Sequence, residues 1–183
     1  MSDESTPDQR QAILDAAIAV LQDDGAAALT VRRVASGAGC STTGVYTWFG
    51  GKGGLVDALY VEGFERFDAA LDAADHDLVS QARAYRRWGL ADSTYYLIMF
   101  GSAVPGHEPS EQAVARSLAS FDRLVRMVNA ELGPDHAGDR AYHLWATIHG
   151  YVMLELQGLA PPLLIDADAA YERAIELVLS SVR

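Results

Sequence analysis

Residues 30–52 constrain the fold of this 183-residue chain more than any other segment, because they predict two short helices around a tight turn. Thr30 is a favoured N-cap residue, and the apolar residues after it recur at the spacing of one helix face. Gly39 allows a turn, and Ser41 can cap a second short helix. Two short helices joined by a glycine-containing turn are typical of a helix-turn-helix, and we expect that motif here.

The second helix of this motif has two chemically different faces. Val45 and Phe49 lie four residues apart, so both should face inward. The residues left on the outer face are polar or aromatic: Thr42, Thr43, Tyr46 and Thr47. Threonine can hydrogen-bond to bases or place its methyl group against thymine, so this face suits the major groove of DNA.

Three basic residues accompany the motif. Lys52 is the only lysine of the chain, and Arg32 and Arg33 lie in the first turn of the first motif helix. Positive charge at the start of a helix is unfavourable because of the helix dipole, whereas a nearby phosphate would stabilise the arginine side chains at this position. The alternative is that the arginines are ordinary solvated surface groups. We expect Lys52 and at least one arginine to contact phosphates.

The charge of the chain argues against a strong electrostatic attraction to DNA. The formal net charge is −11, and residues 1–60 carry four basic and seven acidic side chains. An acidic surface repels the duplex, but charges farther away than a Debye length of about 8 Å are largely screened. The acidic balance therefore weakens the case for DNA binding without removing it.

Helical periodicity continues along the rest of the chain, and no strand-like alternation competes with it. A first helix is expected after a capping box at Thr6 and Gln9, with Pro7 at its first position and Gly25 at its end. Beyond the motif the pattern predicts six longer helices, over residues 54–73, 78–91, 94–102, 110–132, 138–159 and 167–182. Glycine and proline mark the breaks, including those at residues 104–106, 133–135 and 160–162.

The segment from Arg10 to Leu59 resembles the DNA-binding domain of the tetracycline-repressor (TetR) family of transcription regulators. The resemblance rests on residues at the family's spacings: 13–17, Gly25, 29–32, 34–35, 38–39, Ser41, Tyr46, Phe49, Lys52 and Leu55. It implies that Tyr46 and Lys52 contact phosphates. It also implies that four residues face base edges: Thr42, Thr43, Gly44 and Thr47.

Residues 50–54 depart from the family pattern, because Lys52 is surrounded by Gly50, Gly51, Gly53 and Gly54. The glycines remove the usual helix cap, and each helical glycine should cost about 1 kcal/mol relative to alanine. They also uncover backbone N–H groups at a helix N-terminus, where an anion is favoured. We interpret the segment as a compliant phosphate clamp.

The remainder of the chain resembles a TetR subgroup whose effector domain carries a Trp-x-x-x-His-Gly motif, here Trp145, His149 and Gly150. His149 shares an apolar face with Trp145, so it is either a satisfied core histidine or a ligand contact. Several aromatic and sulfur side chains could line an apolar pocket, although helical spacing alone favours a core position. The ligand candidates are Trp88, Tyr96, Met99, Phe100, Phe121, Tyr142, Trp145 and His149.

The last two helices carry broad apolar faces, and an excess of apolar surface needs a partner. In the family the corresponding pair forms a four-helix bundle with its copy, which implies a two-fold homodimer. The candidates for this interface are Met153, Leu156, Tyr171, Ile175, Val178 and Leu179.

Taken together, these features predict an all-α chain with a DNA-binding domain over residues 1–53 and a ligand-binding and dimerisation domain over residues 54–183. We expect a cytoplasmic repressor that binds a pseudo-palindromic operator in double-stranded DNA and is released by a small apolar or aromatic effector. The alternative is a small-molecule-binding or interaction protein that keeps the fold without useful DNA affinity. The sequence shows no nucleophile paired with a base, so we do not expect an enzyme. We also expect no cofactor, metal site or membrane span.

Overall fold

A computed structural model describes residues 7–101, 103–159 and 166–182. Within these ranges the chain forms nine α-helices and one short 3-10 helix at Ala26–Ala28, and it contains no strand, so the predicted all-α class is confirmed. The helices are α1 Pro7–Asp24, α2 Val31–Gly37, α3 Thr42–Phe49, α4 Lys52–Asp72, α5 Leu78–Ala91, α6 Ser93–Phe100, α7 Glu111–Leu132, α8 Ala137–Leu156 and α9 Ala167–Val182. The expected cap at Thr6 and the break at residues 160–162 lie outside the described residues.

Side-chain caps begin both helices of the predicted motif. The Thr30 hydroxyl oxygen accepts a hydrogen bond from the Arg33 N–H at 3.2 Å, and the Ser41 hydroxyl oxygen accepts one from the Gly44 N–H at 3.1 Å. Each cap pairs one of the N–H groups that the first turn of a helix leaves unpaired. Gly39, with φ of 65°, lies in the turn between them. The helix-turn-helix predicted from these residues is confirmed.

Two glycines make the sharp junction between α3 and α4. Gly50 adopts the left-handed conformation with φ of 69°, and its N–H donates to the Tyr46 carbonyl oxygen at 2.8 Å. Gly51 follows with φ of 130°, which a residue with a side chain would adopt only under strain. The chain therefore leaves α3 and enters α4 at the very next residue, Lys52.

The chain divides into two compact units. The first unit contains the described part of Met1–Glu65 together with Thr94–Ser117. Its core includes large side chains without measurable exposure: Ile13, Leu14, Leu29, Val34, Val45, Leu59 and Tyr96. A Cβ atom at Gly63 would lie 2.7 Å from the Met99 sulfur, so this glycine lets α6 pack closely on α4.

The second unit contains Arg66–Ser93 and the described part of Leu118–Arg183, and polar contacts join its helices α5, α8 and α9. Arg86 of α5 donates two hydrogen bonds to the Glu155 carboxylate, both at 2.9 Å, and lies 2.7 Å from a carboxylate oxygen of Asp168. The Tyr171 hydroxyl donates to the Ala82 carbonyl oxygen at 2.7 Å. No helix within the described ranges is long and apolar enough to cross a membrane.

Candidate nucleic-acid interface and effector-domain residues

Helix α3 presents a polar face to solvent. Thr42, Thr43 and Thr47 are exposed, and Tyr46 keeps 57% of its surface accessible. On the opposite face Val45 is completely buried. The Thr47 hydroxyl donates to the Thr43 carbonyl oxygen at 2.9 Å, which leaves its oxygen lone pairs as acceptors. A helix with this face can place hydroxyl and methyl groups against base edges.

Gly44 does not belong to that outer face, although the family resemblance implied that it would meet base edges. It is buried, and a Cβ atom there would lie 3.8 Å from each of Cys40 Sγ, Gln9 Nε2 and Ser41 Oγ. Gln9 comes from α1, so a neighbouring helix covers this position. Spacing within α3 alone carries no information about that coverage. We therefore leave Gly44 out of the interface.

The three predicted cations differ in their surroundings. Lys52 is exposed and is the first residue of α4, and Arg32 is exposed on α2. The Arg33 guanidinium, in contrast, forms an ion pair with Asp24 at the end of α1. The Asp24 carboxylate offsets the positive charge of Arg33 and so weakens its attraction to a phosphate. Lys52 and Arg32 are thus better placed than Arg33 to contact a phosphate.

The start of α4 adds backbone donors beside Lys52. The Leu55 N–H donates to the Gly51 carbonyl oxygen at 3.0 Å, so the N–H groups of residues 52–54 precede the first hydrogen bond of the helix. Lys52, Gly53 and Gly54 are exposed. A Cβ atom at Gly51 would lie 3.3 Å from Tyr46 Cε1, which places the tyrosine ring next to this helix start. An anion here would meet an ammonium group, backbone N–H groups and the positive end of the helix dipole.

In the second unit, Trp145 and His149 of α8 both meet one hydroxyl group, that of Tyr85 on α5. The Trp145 indole N–H donates to the Tyr85 oxygen at 3.2 Å, and the oxygen lies 3.1 Å from His149 Nδ1. Burial lowers the pKa of His149, so the imidazole is neutral near pH 7. The tyrosine can then donate to Nδ1 while it accepts from the indole, which places the imidazole proton on Nε2.

The eight predicted ligand residues are divided between the two units. Tyr96, Met99 and Phe100 lie in the first unit, and the other five lie in the second. Around Trp145, ring centroids lie at 6.0 Å for Phe121, 5.9 Å for Tyr142 and 5.3 Å for His149. Tyr142 is 60% exposed and Trp88 is 6% exposed, so these aromatic residues range from surface to core.

Burial contradicts most of the predicted dimer interface. Tyr171, Ile175, Val178 and Leu179 are each at most 4% exposed within one protomer. They fill the core of the second unit and are not available to a second copy. Met153 and Leu156 are half-buried. A helical pattern shows which residues of α9 share a face, but it cannot show which neighbour covers that face.

Two features of the second unit could not be predicted from the sequence. Tyr85 was not predicted as a site residue, and only its position three residues before Trp88 on an apolar face could have marked it. Tyr151 of α8 was not predicted as an interface residue either. It has 36% of its surface accessible, and Leu154 and Leu177, which belong to the broad apolar faces expected of α8 and α9, have 47% and 69% accessible.

Comparisons with known proteins cover nearly the whole chain. Residues 13–59 match the model of bacterial regulatory proteins of the tetR family, and residues 78–178 match that of tetracyclin repressor-like C-terminal domains. The HTH-type transcriptional regulator Rv1816 of Mycobacterium tuberculosis is 24% identical over 87% of this chain and 86% of its own length.

Two solved structures are also similar to this chain. The crystal structure of SCO4313 is 26% identical, with a TM-score of 0.83 over 93% of this chain and 95% of its own. A Rhodococcus sp. RHA1 protein of unknown function is 27% identical, with a TM-score of 0.80 over 99% of this chain and 98% of its own. Both likenesses extend across the motif and the remaining helices.

Proposed function

The chain belongs to the TetR family of DNA-binding transcriptional regulators, and on that premise we propose that it is a homodimeric repressor released from its operator by a small apolar or aromatic effector. The family and its relatives are regulators and not enzymes. The observation that carries the proposal is the exposed face of α3 beside the exposed ammonium group of Lys52.

The DNA contacts divide into base readout and phosphate contacts. Thr42, Thr43 and Thr47 face base edges in the major groove, because they are the exposed hydroxyl-bearing residues of α3. The phosphate contacts come from Tyr46, Lys52 and Arg32, supported by the backbone N–H groups at the start of α4. Arg33 has a secondary role, since Asp24 already pairs its charge.

The dimer forms through α8 and α9, by exposed residues other than the six interface candidates predicted from the sequence. Tyr151, Leu154 and Leu177 are exposed apolar residues on these two helices. Among the described residues, nothing lies within 4 Å of a Cβ atom placed at Gly150, next to Tyr151. The backbone of α8 is therefore open at this point to a helix of a second copy, as small residues at helix interfaces allow.

The interface is tested by charge insertion at Leu177. We expect Leu177→Arg to convert the dimer to a monomer in sedimentation velocity, because a guanidinium would be buried against apolar surface. Leu118→Arg is the matched control, since Leu118 of α7 is 62% exposed and lies outside the proposed face. A Leu177→Arg protein that remains dimeric would show that another surface holds the two copies together.

Effector response is proposed to involve the Trp-x-x-x-His-Gly segment of α8. Trp145 and His149 are half-buried, so an effector could reach part of each side chain. The Tyr85 hydroxyl orients both rings. An effector lowers operator affinity only as far as it binds more tightly to the protein conformation that binds DNA poorly. The resulting coupling free energy is typically about 1–3 kcal/mol.

The function is tested by selecting binding sites from random DNA with the full chain. A two-fold dimer should select a pseudo-palindrome with half-site centres about 34–36 Å apart or a multiple of that distance. Selection of single, unpaired half-sites would contradict the dimer. Addition of a panel of aromatic and aliphatic compounds should identify those that release the selected DNA.

A second function is favoured by the charge of the chain and by one ion pair. The net charge is −11, and Asp24 pairs with one of the few cations of the motif. A protein that had kept the fold for ligand or protein binding, and had lost DNA affinity, would have these properties. In that case selection would enrich no sequence even at low salt, where electrostatic attraction to DNA is strongest.

A further inference from the structure

A cavity of about 390 Å³ lies in the first unit, beside α4 and α6. Val56 and Tyr60 line it from the second and third turns of α4, and Ile98 and Met99 line it from α6. The segment between α6 and α7 contributes further lining residues: Val104, Pro105, His107 and Pro109. The volume is within the range of small-molecule sites, which is about 300–1,000 Å³.

Among the residues that line the cavity, His107 has a polar side chain that a neighbouring carboxylate holds in place. Its Nε2 lies 3.0 Å from Asp57 Oδ1, and the same oxygen accepts the Ser110 N–H at 3.1 Å. A carboxylate accepts hydrogen bonds, so Nε2 carries the proton that is donated to Asp57. The ring atom left for an occupant is Nδ1, which accepts when the imidazole is neutral and donates when it is charged. A hydroxyl group can pair with Nδ1 in either state.

The lining also restricts the charge of an occupant. Among the described residues that line it, there is no lysine or arginine that could pair with an anion. The nearby carboxylate of Asp57 already accepts two hydrogen bonds, which weakens it as a partner for a cation. Transfer of a charged group into such a site is unfavourable, whereas apolar surface is stabilised there.

We propose that this cavity binds an uncharged, mostly apolar molecule of one or two rings that carries a hydroxyl group, and that the hydroxyl hydrogen-bonds to His107 Nδ1. The proposal rests on the ligand response proposed above and names a site in the first unit, in addition to the one proposed at Trp145 and His149 in the second. The occupant would touch α4 one turn after Lys52. Binding there can therefore alter the conformation of the segment that we propose contacts phosphates.

The test uses 2-naphthol and naphthalene as probes of the full-length protein, because they differ only in the hydroxyl group. We expect ligand-observed NMR competition to show that both bind, 2-naphthol more tightly. His107→Phe should lower the affinity for 2-naphthol by about three- to tenfold, because one hydrogen bond is lost, and should leave the affinity for naphthalene nearly unchanged. The control is His136→Phe, because His136 lies in the second unit with its side chain 81% exposed.

A substitution that fills the cavity gives an independent test of where the probes bind. Val104→Trp places a large ring on a half-buried lining position and should abolish binding of both probes. Unchanged helicity and thermal unfolding of this variant would show that it folds. If Val104→Trp binds 2-naphthol like the parent protein, or if His107→Phe weakens both probes equally, the site assignment is wrong. The regulator function would survive that result, because selection of operator DNA does not depend on the probes.

Discussion

A Cβ atom at Gly54 has no room, and this makes the α3–α4 junction the most sharply testable part of the fold. An alanine Cβ there would lie 1.9 Å from the carbonyl oxygen of Phe49, the last residue of α3. Ordinary carbon-to-oxygen contacts are about 3.3 Å or longer. Both atoms are attached rigidly to backbone, so no side-chain rotation can relieve the overlap. Gly54→Ala therefore requires α3 and α4 to move apart.

The magnitude follows from two opposing effects. Overpacking costs about 1–3 kcal/mol, and the backbone position of both atoms places this case at the upper end. Replacement of a helical glycine by alanine contributes about 1 kcal/mol in the opposite direction. The net loss should be about 2 kcal/mol. For a chain of this size the midpoint of thermal unfolding, followed by circular dichroism, should fall by about 4–8 °C.

Gly53→Ala is the matched control in the same helical turn. Nothing among the described residues lies within 4 Å of a Cβ atom at Gly53, so this substitution should keep the gain in helix propensity and raise the midpoint slightly. The two variants have the same composition and differ only in the space around one methyl group. Equal midpoints for Gly53→Ala and Gly54→Ala would refute the close approach of Phe49 to α4.

Three further predictions concern the second unit. Tyr85→Phe removes the hydroxyl shared by an indole N–H and His149, and should lower the free energy of unfolding in denaturant titrations by about 1–3 kcal/mol; an unchanged value would mean that water replaces the hydroxyl at no cost. The pKa of His149 is lower in the folded than in the unfolded chain, so the contribution of neutral His149 to the free energy of unfolding should be fully present above about pH 6.5 and should decrease as the pH falls below that value. His149→Gln should remove part of this decrease. Arg86→Met leaves Glu155, whose side chain is 28% exposed, without its guanidinium and should cost about 2 kcal/mol, whereas Arg83→Met at a half-exposed ion pair should change the unfolding midpoint little.

Local patterns predicted the helices and caps of the motif because their causes are local. Thr30 and Ser41 each cap a helix through an N–H only three residues away, so the sequence of one turn contains the whole interaction. The junction at Gly54 depends on a contact between two helices. From sequence the glycines around Lys52 indicated flexibility, whereas the distance to Phe49 shows that Gly54 allows close packing.

Features that depend on which helix covers which face could not be predicted from one sequence. Ile175 and Val178 have the apolar spacing of an interface, but neighbours within the same protomer already bury them. Gly44 has the spacing of a base contact, but Gln9 lies next to it. Tyr85 acquires its importance from two residues 60 and 64 positions away along the chain. Each of these outcomes depends on tertiary contacts between distant segments.

The central claim, that this chain reads DNA through α3 and Lys52, is tested most directly by the salt dependence of binding to the selected operator. Each phosphate contact contributes about 0.9 to the slope of log K against log salt, so the loss of two lysines from a dimer in Lys52→Ala should flatten the slope by about 1.8. Arg126→Ala, at an exposed arginine of α7 paired with Asp122, should leave the slope unchanged. Equal slopes for the parent protein and Lys52→Ala would contradict the claim.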